Sequence, residues 1–503
     1  MHFYRPEPPY FVGDCMPFSH DGVFHLYYLL DENHHQGNHG LGGHQWAHAS
    51  TTDLVHWQHH PLALPITAEW EASICTGSTF CHDDQYYAFY ATRKPDQTQH
   101  LCLATSRDGI RFEKSASNPF ASPPPGYGRF DLRDPFVFRD GQAGFHLLAT
   151  ARLDPFPLDE RGGCLLHYTS SDLRAWAPQE PFFVPGGPAG YASIPECPDY
   201  FEWNGWYYLL YSQRLETHYR FSRAPWGPWQ RPAVDLLDSH LAAVMKTAPF
   251  GDNRRIGVAF VGTRKDNQDS SPIQWAGNAL FRELVQHADG TLGTRFVPEM
   301  QPEMQPCSPT IEALTAGVSS DTCGDRVDQN SLAGEQAGCP SVTLDASQGQ
   351  SAAALSPLPQ NFRLRCTVIP NREHLPSAGR FGLGLRGSGA MRSFIELACE
   401  PSVGRVWLGE QSLDCAAGLE QPFTLEVRCQ GDLVEVCLNQ QRCLVNRLGQ
   451  PQGERLFLFC EHGRVTFADI EIGAITEYKQ GSIRSGCART YRTLFIFLDS
   501  TVR

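Results

Sequence analysis

One motif returns five times in the first 300 residues, and no other feature restricts the fold of this chain as tightly. An apolar stretch ending in an aromatic runs into a tight polar turn, and a second aromatic-rich stretch follows. The copies are "DCMPFSHDGVFHLYYLL" from Asp14, "GSTFCHDDQYYAFYAT" from Gly77, "DPFVFRDGQAGFHLLAT" from Asp134, "CPDYFEWNGWYYLLYS" from Cys197 and "KTAPFGDNRRIGVAFVG" from Lys246. The DG and NG corners accept φ > 0 and read as hairpin turns, and the β-branched and aromatic flanks suit strands. A third strand-like run follows each hairpin. In the early copies it closes on "HASTTDLVHW" (48–57), "LATSRDGIRF" (103–112) and "HYTSSDLRAW" (167–176), with "FSRAPWGPW" (221–229) a looser fourth. Three or four strands every 50 to 60 residues, five times over, describe a five-bladed β-propeller.

The propeller is expected to occupy 1–299, ending after "WAGNALFRELVQHADGTLG" (275–293). From Met300 to Gly338 the composition shifts to Pro, Ser, Gln and Gly without periodicity, which reads as a linker. Beyond it, "FRLRCTVI" (362–369), "RFGLGLRG" (380–387), "SFIELACE" (393–400), "FTLEVRCQGDLVEVCLNQ" (423–440) and "GRVTFADIEI" (463–472) alternate like half-buried strands. They predict a β-sandwich over 339–475, and 476–503 is a tail that breaks the pattern. The expected fold is therefore all-β. The 45 glycines, 37 prolines and 11% aromatics, against 19% charged residues, favour the same turn-rich class.

The formal charge of -14, with no large Lys/Arg cluster to offset it, repels phosphate backbones and anionic membranes. Nucleic acid and membrane are excluded as partners. Seventeen cysteines at irregular spacings, without a CxxC pair, indicate neither a disulfide framework nor a zinc site. They read as buried reduced thiols in a cytoplasm. The start "MHFYRPEPPYF" lacks a basic segment followed by an apolar run, and no stretch approaches 18 apolar residues, so a cytoplasmic, unexported protein is expected.

In a propeller the first strand of each blade lines a central channel, so equivalent positions on different blades meet at one end. Aligning the hairpins on their second strands puts Asp14, Asp134 and Glu196 at or within a residue of the same position, about ten residues before Phe24, Phe145 and Trp206. The corresponding places in the second and fifth copies hold Thr76 or Gly77 and Lys246 or Thr247, so the repeat itself does not require an acid there. A single Asp before a strand is most simply a turn acceptor. Three converging acids have another consequence: like charges at close range raise the pKa of at least one, supplying an acid and a base together. Paired carboxyls of that kind perform glycoside hydrolysis.

At these residues the chain resembles a known family. "LRDPFVF" (132–138), "PECPDYFEWNGWYY" (195–208) and "HQWAHASTTDLVHW" (44–57) are similar to the RDP motif, the EC motif and the WGHA-S-DLVHW segment of the glycoside hydrolase family 32 β-fructosidases: invertases, inulinases and levanases. The likeness covers 8–300 well and 360–475 more loosely, at "LVEVCLNQQ" and "GRVTFADIEI". By that resemblance Asp14 stands where the family's nucleophile lies in its NDPNG motif. Asp134 takes the place of the transition-state stabiliser and Glu196 that of the general acid/base, while Arg133, Trp46 and Trp275 match residues lining the sugar subsite. The resemblance implies a retaining hydrolase of terminal β-fructofuranosyl bonds in sucrose-like oligosaccharides or fructans, with its two reacting carboxyls about 5 to 5.5 Å apart. No cofactor and no metal are implied.

Departures from the family pattern fall around the trio. Gly13 replaces the Asn before the nucleophile, Cys15 the Pro after it, Leu29 a Gln, Cys75-Thr76 a Phe-Ser pair, and "FRE" at Phe281–Glu283 a PRE. The sugar-binding shell is thus altered around an intact trio, which points to an unusual fructoside or another furanoside, and an intracellular setting leaves phosphorylated sugars open as substrates. An inverting family 43-type arabinan or xylan furanosidase, with the same fold and a similar acid trio, is the enzymatic alternative. A carbohydrate-binding propeller without catalysis is the other. The GxGxxG at 382–387 sits among alternating strands and lacks the strand-to-helix context of a nucleotide site. The histidine-rich "DENHHQGNHGLGGHQWAH" (31–48) fits neither HExxH nor zinc-finger spacing, and reads as a loop at the channel mouth rather than a metal site.

Overall fold

Each copy of the repeat folds as an antiparallel hairpin in the computed structural model, which describes residues 3–476 except 141–143, 155–161, 186–192, 322–339, 348, 372–378, 415 and 417. The paired strands are Tyr10–His20 with Val23–Glu32, Ser73–His82 with Gln85–Arg93, Arg133–Asp140 with Gly144–Arg152, Glu196–Trp203 with Trp206–Gln213, and Ala243–Phe250 with Arg254–Arg264. Three corners are the two-residue turns expected, the fifth has three residues (251–253), and the third (141–143) lies outside the described residues. Asp21-Gly22, Asp83-Asp84 and Asn204-Gly205 all have positive φ, the twist that matches flanking strands.

A third strand completes each unit: Gln45–Thr51, Gln99–Ser106, Gly163–Ser170, Glu216–Ser222 and Ile273–Gln286. The polar signatures after three of these strands form one recurring turn. In it a hydroxyl accepts from the backbone N–H three residues on, at Leu54, Gly109 and Leu173, each with φ between 61 and 69°. Asp53, Asp108 and Asp172 cap the two amides that follow. The signature is therefore a structural punctuation mark that launches the short fourth strands Gln58–His59, Glu113–Lys114 and Ala177–Pro178.

Apolar faces are buried between successive units. Tyr27, Leu29 and Trp46 pack with Ile74 and Tyr90; Phe89 and Leu101 with Phe145 and Leu147; Leu148 with Tyr200 and Leu209; Tyr208 and Leu210 with Ala259 and Leu280; and Phe260 and Phe281 with Val12 and Phe24. The first strands touch in the same cyclic order, ending with Ala243–Phe250 against Tyr10–His20. The last unit is also stitched to the first: Phe3–Tyr4 pairs with Ala279–Leu280, and Gly277 with Val12. Each aromatic or aliphatic side chain buried this way contributes about 1.5–3 kcal/mol.

The remaining strands form an eight-stranded and a seven-stranded sheet that share one apolar cluster, including Leu344, Phe362 and Val427 from one and Phe381, Leu397, Leu456 and Leu458 from the other. The segment read as a linker is more structured than expected. Its strands Met304–Pro306, Thr310–Ala313 and Val318–Asp321 join these two sheets, because their backbone groups complete edges left by Arg464–Ile475, Gln350–Ser356 and Ser341–Asp345. The rest of that segment, and the tail from 477, lie outside the described residues. The glycine-rich 382–387 run is part of the strand Arg380–Ser388, with no helix after it.

A buried ion network locks the two halves together. Arg282, fully buried, donates to Asp238 Oδ2 at 2.8 Å and across the junction to Glu435 Oε1 at 2.5 Å. Arg282→Met strands two acids in the interior, so we expect it to cost about 3–5 kcal/mol in a urea unfolding titration. Asp414→Asn, breaking the exposed Arg405–Asp414 pair, should cost less than about 1 kcal/mol. Equal losses in the two variants would show that this network does not hold the junction.

Candidate active site

The five hairpins share a defect at one place, and it builds the site. Between first and second strands the register slips after Val12, Ile74, Arg133, Glu196 and Ala243, leaving two residues of each first strand opposite no partner. Such β-bulges bend a strand and re-aim its side chains. The bulged pairs are Gly13-Asp14, Cys75-Thr76, Asp134-Pro135, Cys197-Pro198 and Val244-Met245. Asp134, Cys197 and Val244 take φ near 53°, a left-handed backbone that costs non-glycine residues roughly 1–3 kcal/mol each.

The bulges meet. Thr76 Oγ1 donates a short hydrogen bond to Asp14 Oδ2, and Cys197 Sγ lies 3.6 Å from the same oxygen. The Cys197 amide donates to Asp134 Oδ2 at 3.1 Å, which also accepts from Thr150 Oγ1 at 2.9 Å. Arg133 closes the chain of contacts: its Nε is 3.7 Å from Asp134 Oδ2, and its Nη2 donates to Glu196 Oε1 at 2.7 Å. Asp14, Asp134 and Glu196 are therefore linked through Thr76, Cys197 and Arg133 into one continuous polar cluster. Glu196 is its open end, with 32% of its side chain exposed, whereas Asp14 and Asp134 are buried.

Burial dominates the electrostatics. It pushes the Asp14 carboxyl up from the usual carboxylate range to about 7; the Thr76 hydrogen bond opposes the rise, and the charges of Asp134 and Glu196 add to it. Asp14 Oδ1 is sealed from solvent without a hydrogen-bond partner, while Oδ2 is held. Burial works against the charge of Arg133, but Glu196, Asp134 and Asp131 outweigh it and hold the guanidinium even more firmly protonated than usual. Burial also pushes the Cys197 thiol well above its ordinary value, with Asp134 and Asp14 reinforcing it, so this cysteine is a neutral neighbour.

The two tryptophans expected at the sugar subsite differ in position. Trp275 packs directly over Gly13: a Cβ there would sit 2.4 Å from Trp275 Cη2. The Asn expected before Asp14 is therefore Gly because the indole occupies its space. Trp46 has no exposed surface, and its N–H donates to the Cys75 carbonyl at 2.9 Å, which puts it beneath the bulge carrying Thr76 rather than at an open surface. Cys15, in place of a Pro, reaches the Ala259 carbonyl at 3.6 Å, and Arg282 of "FRE" belongs to the junction network, not to this cluster. Residues that sequence reasoning missed are Thr150, Gln99 and Asp131, the last two facing Arg133 Nη1 at 3.4 Å each. Thr150 was within reach of a register count, since it pairs with Arg133 across the hairpin.

Paired carboxyls are the chemical equipment of glycoside hydrolysis. Comparison narrows this. Residues 15–293 match the Glycosyl hydrolases family 32 N-terminal domain, a match that begins one residue after Asp14. The chain belongs to glycosyl hydrolase family 32. It is 26% identical over 326 residues to a raffinose invertase of Escherichia coli, covering 59% of this chain and 64% of that protein. It is equally 26% identical over 325 residues to a sucrose-6-phosphate hydrolase of Escherichia coli, covering 60% of this chain and 65% of the relative. The fold resembles fructan 1-exohydrolase IIa from Cichorium intybus at a TM-score of 0.66 and 16% identity, over 94% of this chain and 97% of that one. A sucrose-6-phosphate hydrolase from Lactobacillus gasseri gives a TM-score of 0.66 at 13% identity, over 95% and 93%.

A carboxyl whose pKa is raised on folding weakens the fold as it ionises. Between its ordinary pKa of 3.8 and about 7, the native state binds a proton at Asp14 that the unfolded chain does not, so stability falls as pH rises through that window. We therefore expect Asp14→Asn to match the parent's thermal unfolding temperature near pH 4, to exceed it increasingly up to about pH 7, and to keep a constant margin above that. A variant no more stable than the parent at pH 8 would contradict a buried, raised carboxyl.

Proposed function

We propose that this chain is a retaining glycoside hydrolase that cleaves a terminal β-fructofuranosyl, or related furanosyl, bond in sucrose-like oligosaccharides or fructans. The observation that carries the reading is the condition of Asp14, whose Oδ2 is held by Thr76 while Oδ1 is unpartnered within a cluster shared with Asp134 and Glu196. In this reading the Asp14 carboxylate attacks the anomeric carbon and Glu196, the exposed member, protonates the leaving oxygen. Glu196 then deprotonates the water that releases the sugar. Asp134, fixed by Thr150 and the Cys197 amide, accepts sugar hydroxyls, with Arg133 fixing both it and Glu196. Trp275 forms a wall of the sugar site and Trp46 supports it from beneath.

Cyclic contact of the first strands and the stitch between last and first units support a five-bladed β-propeller over 1–299. The two sheets around one apolar cluster support a β-sandwich over 339–475, after a segment at 300–338 that docks on it. Among the described residues thirteen cysteines are free and mostly buried, which supports a reducing, cytoplasmic setting, and no helix is long and apolar enough to cross a membrane. The family match favours a fructoside over the arabinan or xylan substrates of the inverting alternative.

Incubation with sucrose, inulin, levan and aryl furanosides, with NMR of the first anomer released, should show retained configuration. Glu196→Gln should lower kcat about 10²–10⁴-fold and Asp14→Asn at least as much, with unfolding cooperativity intact. Because Asp14 must be ionised to attack, kcat/KM should rise through pH 7, and Thr76→Val, which removes a bond favouring the carboxylate, should move that limb to higher pH. Inverted product, or near-normal rates in either acid variant, would refute the proposal.

A further inference from the structure

The histidine-rich loop reads differently in three dimensions than along the chain. Asp31, at the end of its strand, is fully buried, and His44, before the next strand, is nearly so. The loop between them passes through left-handed backbone at Asn33, His34, His35, Asn38 and His39 and brings His35 back over both. Ligand atoms of Asp31, His35 and His44 then all lie within 4.8 Å of one another. Spacing along the chain hid this, because the ligands are gathered by turns, not by helical periodicity.

Three details go beyond proximity. Asp31 Oδ1 accepts from the His35 amide at 2.7 Å and lies 3.1 Å from His44 Nε2, yet Oδ2 of the same buried carboxylate has no hydrogen-bond partner. His44 Nδ1 is 3.0 Å from Ser73 Oγ, the kind of outer partner that fixes a ligand imidazole's tautomer and leaves Nε2 to face inward. Burial also lowers the pKa of both imidazoles, His35 to about 4, so both rings are neutral donors at neutral pH.

We propose that Asp31, His35 and His44 form a binding site for a divalent cation of the zinc type, an N₂O donor set completed by water. On binding, His44 turns the lone pair of Nε2 to the cation and keeps its single ring proton on Nδ1, facing Ser73 Oγ, so no proton leaves the site. Arg93, which donates to His35 Nε2 at 2.9 Å, sets a positive charge beside both imidazoles and so opposes the cation. The rings of His44 and His35 lie 5.0 and 5.3 Å from Trp275, the indole that covers Gly13. Bound metal would therefore brace the wall next to Asp14. This site stands independently of the hydrolase reading.

The test is calorimetric titration of the EDTA-treated full chain with ZnCl₂ at pH 7.5 in two buffers of different ionisation enthalpy, with Co²⁺ absorption reporting geometry. We expect one site, a binding heat that does not depend on the buffer, and a raised unfolding temperature. His35→Gln, chosen because His35 is the least buried ligand, should weaken binding at least tenfold, as should Ser73→Ala through His44. Arg93→Gln should tighten it, and His56→Gln, at an exposed surface histidine, should leave it unchanged. The proposal is overturned if no single site is detected, if His35→Gln and Asp31→Asn, shown to be folded by thermal unfolding, bind like the parent, or if Arg93→Gln weakens binding.

Discussion

A slip of register repeated in five hairpins is the constraint on which the rest of this structure depends. At each slip two residues lose their partners across the ladder, and their side chains are freed to meet those of other hairpins. A lone bulge with left-handed backbone at a β-branched residue such as Val244 would relax. It persists here because each hairpin is wedged between aromatic faces of its neighbours, in a cycle that closes through Phe3–Tyr4 and Val12 on the final strands. Packing energy gathered around the ring is spent on holding a few residues in poor conformations at one end.

Those residues are then bonded to each other rather than to their own strands. Asp14 depends on Thr76 from the second unit and Cys197 from the fourth, and Asp134 depends on the Cys197 amide and on Thr150 opposite its own bulge. Arg133 couples Asp134 to Glu196. No carboxyl in the cluster is positioned by one unit alone, which makes the electrostatics of Asp14 a property of the whole arrangement. The C-terminal sheets enter through Arg282, whose strand also carries Ala279 and Leu280 of the closing stitch. Their attachment therefore bears on ring closure as well as on their own stability.

Much of this was legible in the sequence, and the parts that were not share a cause. Hairpins were readable because DG, NG and aromatic residues act locally, over a handful of positions. The trio was readable only to within a residue. Glu196 precedes its bulge while Asp134 and Asp14 are first and second within theirs, and a bulge shifts phase without leaving a mark in composition. The Gly13–Trp275 exchange joins residues more than 260 positions apart, and the Asp31, His35, His44 cluster depends on loop backbone that no periodicity encodes. The strands at 304–321 were missed because they are edge additions, stabilised by the sheets they join and not by their own alternation.

The claim at the centre of this account is that packing between units places the Asp14 carboxyl where a sugar's anomeric carbon arrives. Rapid quenching during turnover of a slow aryl furanoside, followed by mass analysis of peptides, tests it most directly. The account predicts a gain of one glycosyl unit on the peptide holding Asp14, absent when Asp14 is Asn. Turnover with no labelled peptide, or with the label on Asp134 or Glu196 instead, would contradict it.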